Sequence, residues 1–274
     1  MKTASGYIMP HVPYVKEDNK IEHEYVEIAG IKWATMNIGA ESITDTGLYF
    51  QWGDTQGYTA EQVGTDKMFN LANYKYSDNG TTAMTKYKGD DYTVLQPEDD
   101  AVTAAWGGSW RMPTTAEFQT LGAAVTSAWT TNYQGVEGCN GLLLTGKNGT
   151  ADEGKTLFFP ACGYCYDGSV DNVGSFSGYW SSSLFSGGVQ RAYNLYFGSG
   201  DVDWQDSGSR YSGCAVRGVL DGPVPKFATP SDIPAQVQSD WGQSDSAAID
   251  YIKNKPDISA LEARITALEA YHTT

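Results

Sequence analysis

Cys162-Gly163-Tyr164-Cys165 is the tightest cluster of reactive side chains in this 274-residue chain, and its spacing suits half of a structural zinc site. One such pair supplies only two of the four ligands zinc needs, and the nearest histidine is far away in sequence. The four cysteines (Cys139, Cys162, Cys165, Cys214) are too few and too irregular for a disulfide framework, so they are expected as free, buried thiols. The 3 histidines, His11, His23 and His272, all lie outside the span Glu27 to Leu220, which leaves that span without a Ser-His or Cys-His nucleophile pair. Glu98, Asp99 and Asp100 are a carboxylate cluster, but after Gln96-Pro97 they read as solvated acids in the first turn of a helix. Asp201, Asp203 and Asp206, with Gln205 between them, carry the hard oxygens that calcium takes. None of these arrangements is a complete catalytic set. The chain is therefore read as non-enzymatic, with no catalytic or metal-ligating residue and no cofactor, calcium on the acidic segment being the one ion kept as an alternative.

Recognition chemistry is better represented. Tyr179, Tyr193, Tyr196, Trp204 and Tyr211 supply aromatic anchors. Ser186, Gln190, Asn194, Asp201, Asp203, Gln205, Asp206, Ser209 and Ser212 supply short polar contacts, and together these residues form the candidate ligand-binding set. They are interleaved with Trp180, Ala192, Leu195, Phe197, Val202, Gly213, Val216 and Arg217, which read as packing framework. Strand alternation sends Leu195 and Phe197 to one face and Asn194 and Tyr196 to the other. Trp204 is expected to project outward, because burying it would strand Asp203, Gln205 and Asp206. The counts of Gly 31, Tyr 18 and Trp 8 suit an adaptable recognition surface. They equally suit a loop-rich β protein that needs glycine in its turns.

A net charge of −15 repels polyanions and argues against nucleic acid as a partner. No run approaches the roughly 18 apolar residues of a membrane span, and the N-terminus has no apolar signal region, so no membrane partner and synthesis in the cytoplasm are expected.

The elements that must position these residues form an α+β pattern with few short helices and long loops. Residues 1–26 are an arm. Val26 to Ile28 and Ile31 to Ala34 read as strands around Gly30, and Leu142 to Leu144, Leu157 to Phe159, Tyr193 to Phe197 and Cys214 to Val219 as further strands. One helix opens at Pro97 and ends at Trp106-Gly107-Gly108. A second opens at Thr114, whose spacing to Glu117 is that of a capping box, with Phe118, Leu121 and Val125 on one face. Residues 27–220 form the binding domain, Asp221 to Pro225 begins a linker that runs through 221–256, and 257–274 is a short coiled-coil helix. In that helix Ile258, Leu261, Ile265 and Leu268 alternate by three and four as an oligomerisation seam, with Arg264 and Glu269 placed to pair between helices.

Three runs carry a resemblance: Trp106 to Phe118 (WGGSWRMPTTAEF), Gly178 to Ser183 (GYWSSS) and Arg210 to Val219 (RYSGCAVRGV). They resemble the C-type-lectin-fold domains of phage and bacterial surface proteins, and most closely the variable proteins of diversity-generating retroelements. Gln238 to Asp245 and Tyr251 to Pro256 resemble a short repeat of phage tail-fibre proteins, and Arg264 to Glu269 resembles a trimer-favouring coiled-coil motif. The resemblance implies a C-type lectin fold and a receptor-binding role on a virion tail or an extracellular surface. It also implies a host surface protein or glycan as partner and a homo-oligomer, trimer before dimer. Two alternatives follow from the same fold. One is a carbohydrate-binding lectin-like protein, although the Glu-Pro-Asn and Gln-Pro-Asp motifs are missing. The other is an oxidase of the formylglycine-generating type, which needs paired cysteines and which Cys162 and Cys165 satisfy only by folding back toward Cys214.

Overall fold

The computed structural model describes residues 23–66, 68–89, 91–221 and 263–266. In chain order the elements are β1 (Tyr25–Ile28), β2 (Ile31–Asn37), α1 (Ala60–Asp66), α2 (Ala101–Trp106), β3 (Trp110–Arg111), α3 (Thr115–Ala124), β4 (Val125–Thr130), β5 (Gly141–Gly146) and β6 (Thr156–Pro160). They continue with β7 (Tyr164–Tyr166), β8 (Ser169–Asp171), β9 (Phe176–Leu184), β10 (Arg191–Gly198), β11 (Val202–Ser209) and β12 (Arg217–Leu220). The class is α+β and mostly β, with every paired strand antiparallel to its neighbour.

The hairpin of β1 and β2 turns on Ala29 and Gly30, at φ 54° and 73°. Positive φ at both central residues marks the type I′ turn, whose twist matches that of the flanking strands. The Ala29 N–H is held by Asp152 Oδ2 at 2.7 Å. Strand β12 then lies between β2 and β3 in a 4-stranded sheet of order β1-β2-β12-β3, so the two ends of the 27–220 span meet as its strand patterns suggest. Strands β4-β5-β6 form a meander, β9-β10-β11 a second one, and β7-β8 a small hairpin.

Helix α3 begins as its sequence dictates. Thr114 Oγ1 accepts the Glu117 N–H and the Glu117 carboxylate accepts the Thr114 N–H, which satisfies two backbone donors at the helix start, and the Thr115 N–H donates to Ser183 Oγ. The helix buries Phe118 and Leu121, with Phe118 stacked 5.4 Å from Trp33. Strands β5, β6, β9 and β10 add Leu144, Phe159, Tyr179, Leu195 and Phe197 to this core. A second core gathers Trp52, Tyr74, Tyr76, Tyr87, Met112 and Trp180, the last of these buried as its place in the framework suggests.

The acidic turn before α2 departs from expectation. Glu98 is exposed, but Asp99 and Asp100 are buried and are structural. Asp99 accepts from Lys86 Nζ and Tyr87 Oη, each at 2.6 Å, and from Lys75 Nζ at 3.1 Å. Asp100 caps α2 through the Thr103 N–H and also accepts the Met112 N–H. His23 does not stand apart from the domain either, because its ring stacks on Trp106 at 3.9 Å.

The chain divides into two compact units, Met1–Pro223 and Val224–Thr274. In the second, residues 263–266 are helical and exposed, and Ile265 is among them. Ile258, Leu261 and Leu268 of the expected seam, residues 222–256 of the linker and residues 1–22 lie outside the described residues. No helix among the described residues is long and apolar enough to cross a membrane.

Candidate ligand-binding site

The site is built on β10, which runs between β9 and β11. Leu195 and Phe197 are fully buried on one face, while Tyr196 faces the other and is half-buried. The register explains which neighbours join each face. Asn194 lies opposite Asp206 and Tyr196 opposite Asp203, so Trp204 and Gln205 together face the single residue Leu195. Alternation along β11 puts Trp204 on the core side with Val202, and this bulge then brings Asp206 to the face of Tyr196. Its indole rests against α3, where a Cβ on Gly122 would come within 2.6 Å of the ring. Trp204 is therefore a half-buried packing residue and not the projecting anchor that its polar neighbours suggest. Those neighbours are not stranded: Asp203 Oδ1 accepts the Gln205 N–H and Gln205 Oε1 accepts from Gln119 Nε2, each at 2.8 Å.

Tyr179 requires a second correction. It is 0% exposed, and its hydroxyl donates to the Pro160 carbonyl at 2.9 Å while accepting from Asn37 Nδ2 at 3.0 Å. It is a core residue because β9 is covered on both sides along most of its length, so alternation along it does not separate inside from outside.

The remaining expected residues divide among separate concavities. Ser186 lines one of about 450 Å³ beside the loop 184–189, with its hydroxyl 2.8 Å from Tyr193 Oη. Asp201 and Trp204 line another of about 350 Å³ against Trp129. Gln190 is exposed, and Tyr211 is half-buried with its ring 6.3 Å from that of Tyr166. Asn194, Tyr196, Asp206, Ser209 and Ser212 converge on a third concavity of about 340 Å³. Tyr164, Asn172, Phe176, Gly178, Gly208 and Cys214 complete its lining.

Asn194 contradicts the expectation of a displayed contact in one respect: it is only 6% exposed, and it forms the inner wall of the concavity rather than its rim. Its Oδ1 is buried without a hydrogen-bond partner. Glycines keep the space before it clear, since a Cβ at Gly208 or Gly178 would stand 3.1 or 3.5 Å from Asn194 Nδ2. Burial raises the Asp206 carboxyl above its ordinary range.

Tyr164 and Phe176 were missed by sequence reasoning. The β7-β8 hairpin carries Tyr164 to the site, and it turns on Asp167 and Gly168 at φ 46° and 79°. An Asp-Gly pair between alternating residues was the legible sign of that hairpin.

The same hairpin bears on the thiols. Cys165 exchanges backbone hydrogen bonds of 2.7 and 2.8 Å with Gly213, so the Cys162-Cys165 segment does fold back to Cys214. All four cysteines are free. Burial pushes the Cys162 thiol up to about 11, and Cys165 and Cys214 further still. Burial thus favours the thiol over the thiolate in these three cysteines, and the thiolate is the stronger nucleophile. Among the described residues no group of three His, Cys, Asp or Glu side chains is arranged to hold a metal ion.

No family model matches the chain, and no curated protein or solved structure matches it significantly.

Proposed function

We propose that this chain is a receptor-binding protein, a tail-fibre or surface component with a C-type-lectin-like scaffold that presents the open face of β9-β10-β11 to a host surface protein. The observation that carries this reading is the convergence of Asn194, Tyr196, Asp206, Ser209 and Ser212 on one aromatic-walled concavity. Small polar side chains around rigid rings give contact area at low entropic cost. The close pairing of β2 with β12 and the two short helices α2 and α3 support the scaffold reading. Oligomerisation through Ile258, Leu261, Ile265 and Leu268, as a trimer, belongs to the same proposal and would multiply weak contacts.

Adhesion of the labelled full chain to candidate host cells tests the reading. Tyr196→Ala and Ser212→Tyr should each reduce adhesion at least tenfold while the unfolding temperature stays within about 3 °C, because both positions are partly exposed. Adhesion that survives both substitutions removes the proposal.

A further inference from the structure

Resting on that reading, we infer that the concavity between β7, β9 and β11 is a subsite for one cationic side chain, an arginine of the partner protein. Two acceptors stand at its back on adjacent strands, Asn194 on β10 and its cross-strand neighbour Asp206 on β11. Directly opposed side chains of this kind lie about 5 Å apart at Cβ. Neither acceptor has its full capacity used from within: the Ser207 backbone N–H reaches Asp206, and no donor reaches Asn194 Oδ1. Asn194 Oδ1 is buried and unpartnered, and Asp206 has no ion pair among the described residues. Arg191, the nearest basic candidate on β10, is engaged with the Ser207 hydroxyl at 3.0 Å and with the Ser207 carbonyl. A buried acceptor without a donor is costly, so a donor-bearing guest relieves it.

The walls fit the same guest. Tyr164 and Phe176 stack with centroids 5.5 Å apart at 24°, and Tyr196 follows Phe176 at 5.5 Å. Aromatic walls suit the flat guanidinium, which packs against rings while its N–H groups reach acceptors. The volume of about 340 Å³ lies at the small end of ligand sites, so the guest is a side chain rather than a large molecule. The net charge of −15 draws a basic partner toward this face. A planar fork of five donors satisfies both acceptors at once, whereas a single ammonium or a sugar hydroxyl does not hold that geometry as readily.

The test is calorimetric titration of the full chain with acetyl-Gly-Arg-Gly-amide, run beside the citrulline and lysine versions and methyl glycosides. Saturable millimolar binding of the arginine peptide is expected, at least tenfold weaker for citrulline and at least tenfold weaker in Asp206→Asn. Thermal melting of that variant checks that it is folded. The inference is overturned if the arginine peptide does not saturate, if citrulline binds equally, if Asp206→Asn binds as well as the native chain, or if a methyl glycoside is preferred. Adhesion separates this inference from its parent. Loss in Tyr196→Ala with full retention in Asp206→Asn sinks the arginine subsite alone, and retention in both sinks the binding face as well.

Discussion

Replacing Asn194 by leucine should make the protein more stable and take away its ligand. The side chains are close in shape, and Asn194 is 94% removed from solvent with an amide oxygen that meets no donor. An unpaired buried polar group costs about 1–3 kcal/mol, and an apolar group of the same outline does not carry that cost. For a domain of this size each kcal/mol moves the melting temperature by about 2–4 °C. A gain near 2 kcal/mol therefore predicts a rise of about 4–8 °C for Asn194→Leu in calorimetric melting, with an unchanged urea m-value. Binding of the arginine peptide should disappear in the same variant. A melting temperature that stays level or falls would mean that the amide is already satisfied. The reasoning that makes it an open acceptor would then be wrong.

Two further substitutions test the packing and the charge network. Trp204→Ala should cost about 2 kcal/mol, part of the ~3–5 kcal/mol of a fully buried tryptophan, because its indole packs on Gly122; urea denaturation measures it, and a loss below about 0.5 kcal/mol would return Trp204 to the surface. For Asp99, burial alone would raise the carboxyl, but hydrogen bonds from Lys86, Tyr76, Tyr87 and Lys75 outweigh it and hold the group well below its ordinary range. The unfolded chain thus binds the proton more readily, and the stabilisation is complete above about pH 5 and lost as pH falls through the folded value. Asp99→Asn should be less stable by about 3 kcal/mol at pH 7 and approach the native chain below pH 3, read from urea midpoints across that range; a constant offset at every pH would refute the assignment.

Local chemistry was legible and non-local geometry was not. The capping box of α3 and the helix end at Gly107 are written within a few residues each and stand where the sequence puts them, whereas the expected strand from Cys214 to Val219 begins only at Arg217, Cys214 and Ala215 making isolated bridges. Trp204 was misplaced because its polar neighbours are a sign of exposure in sequence, whereas Gln205 finds Gln119 on α3 and Asp203 the Gln205 N–H while the indole packs inward. Tyr179 was misplaced because β9 is buried on both sides, where period-two reasoning is silent. Asp99 looked solvated because its lysine partners come from a loop more than ten residues upstream. The Asp167-Gly168 turn was the exception, a local feature that brings Tyr164 to the site and was overlooked.

What fixes the candidate face is independent of the side chains that cover it. Arg210 is buried where β11 ends, with its guanidinium donating to Tyr74 Oη and to the carbonyls of Lys86, Tyr87 and Val189, 4.7 Å over the Trp52 ring. Arg217 is buried at the start of β12 and donates to Asn37 Oδ1 and to the carbonyls of Ala34, Thr35 and Phe158. Most of these acceptors are backbone groups, which persist whatever residues surround them. Such hydrogen bonds to a charged donor are each worth about 1.5–3 kcal/mol. The segment between the two arginines holds Ser212 and Cys214 in the lining of the concavity, and Ser209 immediately precedes it. The backbone between the two arginines can keep its course while Ser212 is exchanged, as β10, anchored inward by Leu195 and Phe197, can while Tyr196 is exchanged. That separation of anchoring from contact is the physical requirement of a binding face whose specificity changes without loss of fold.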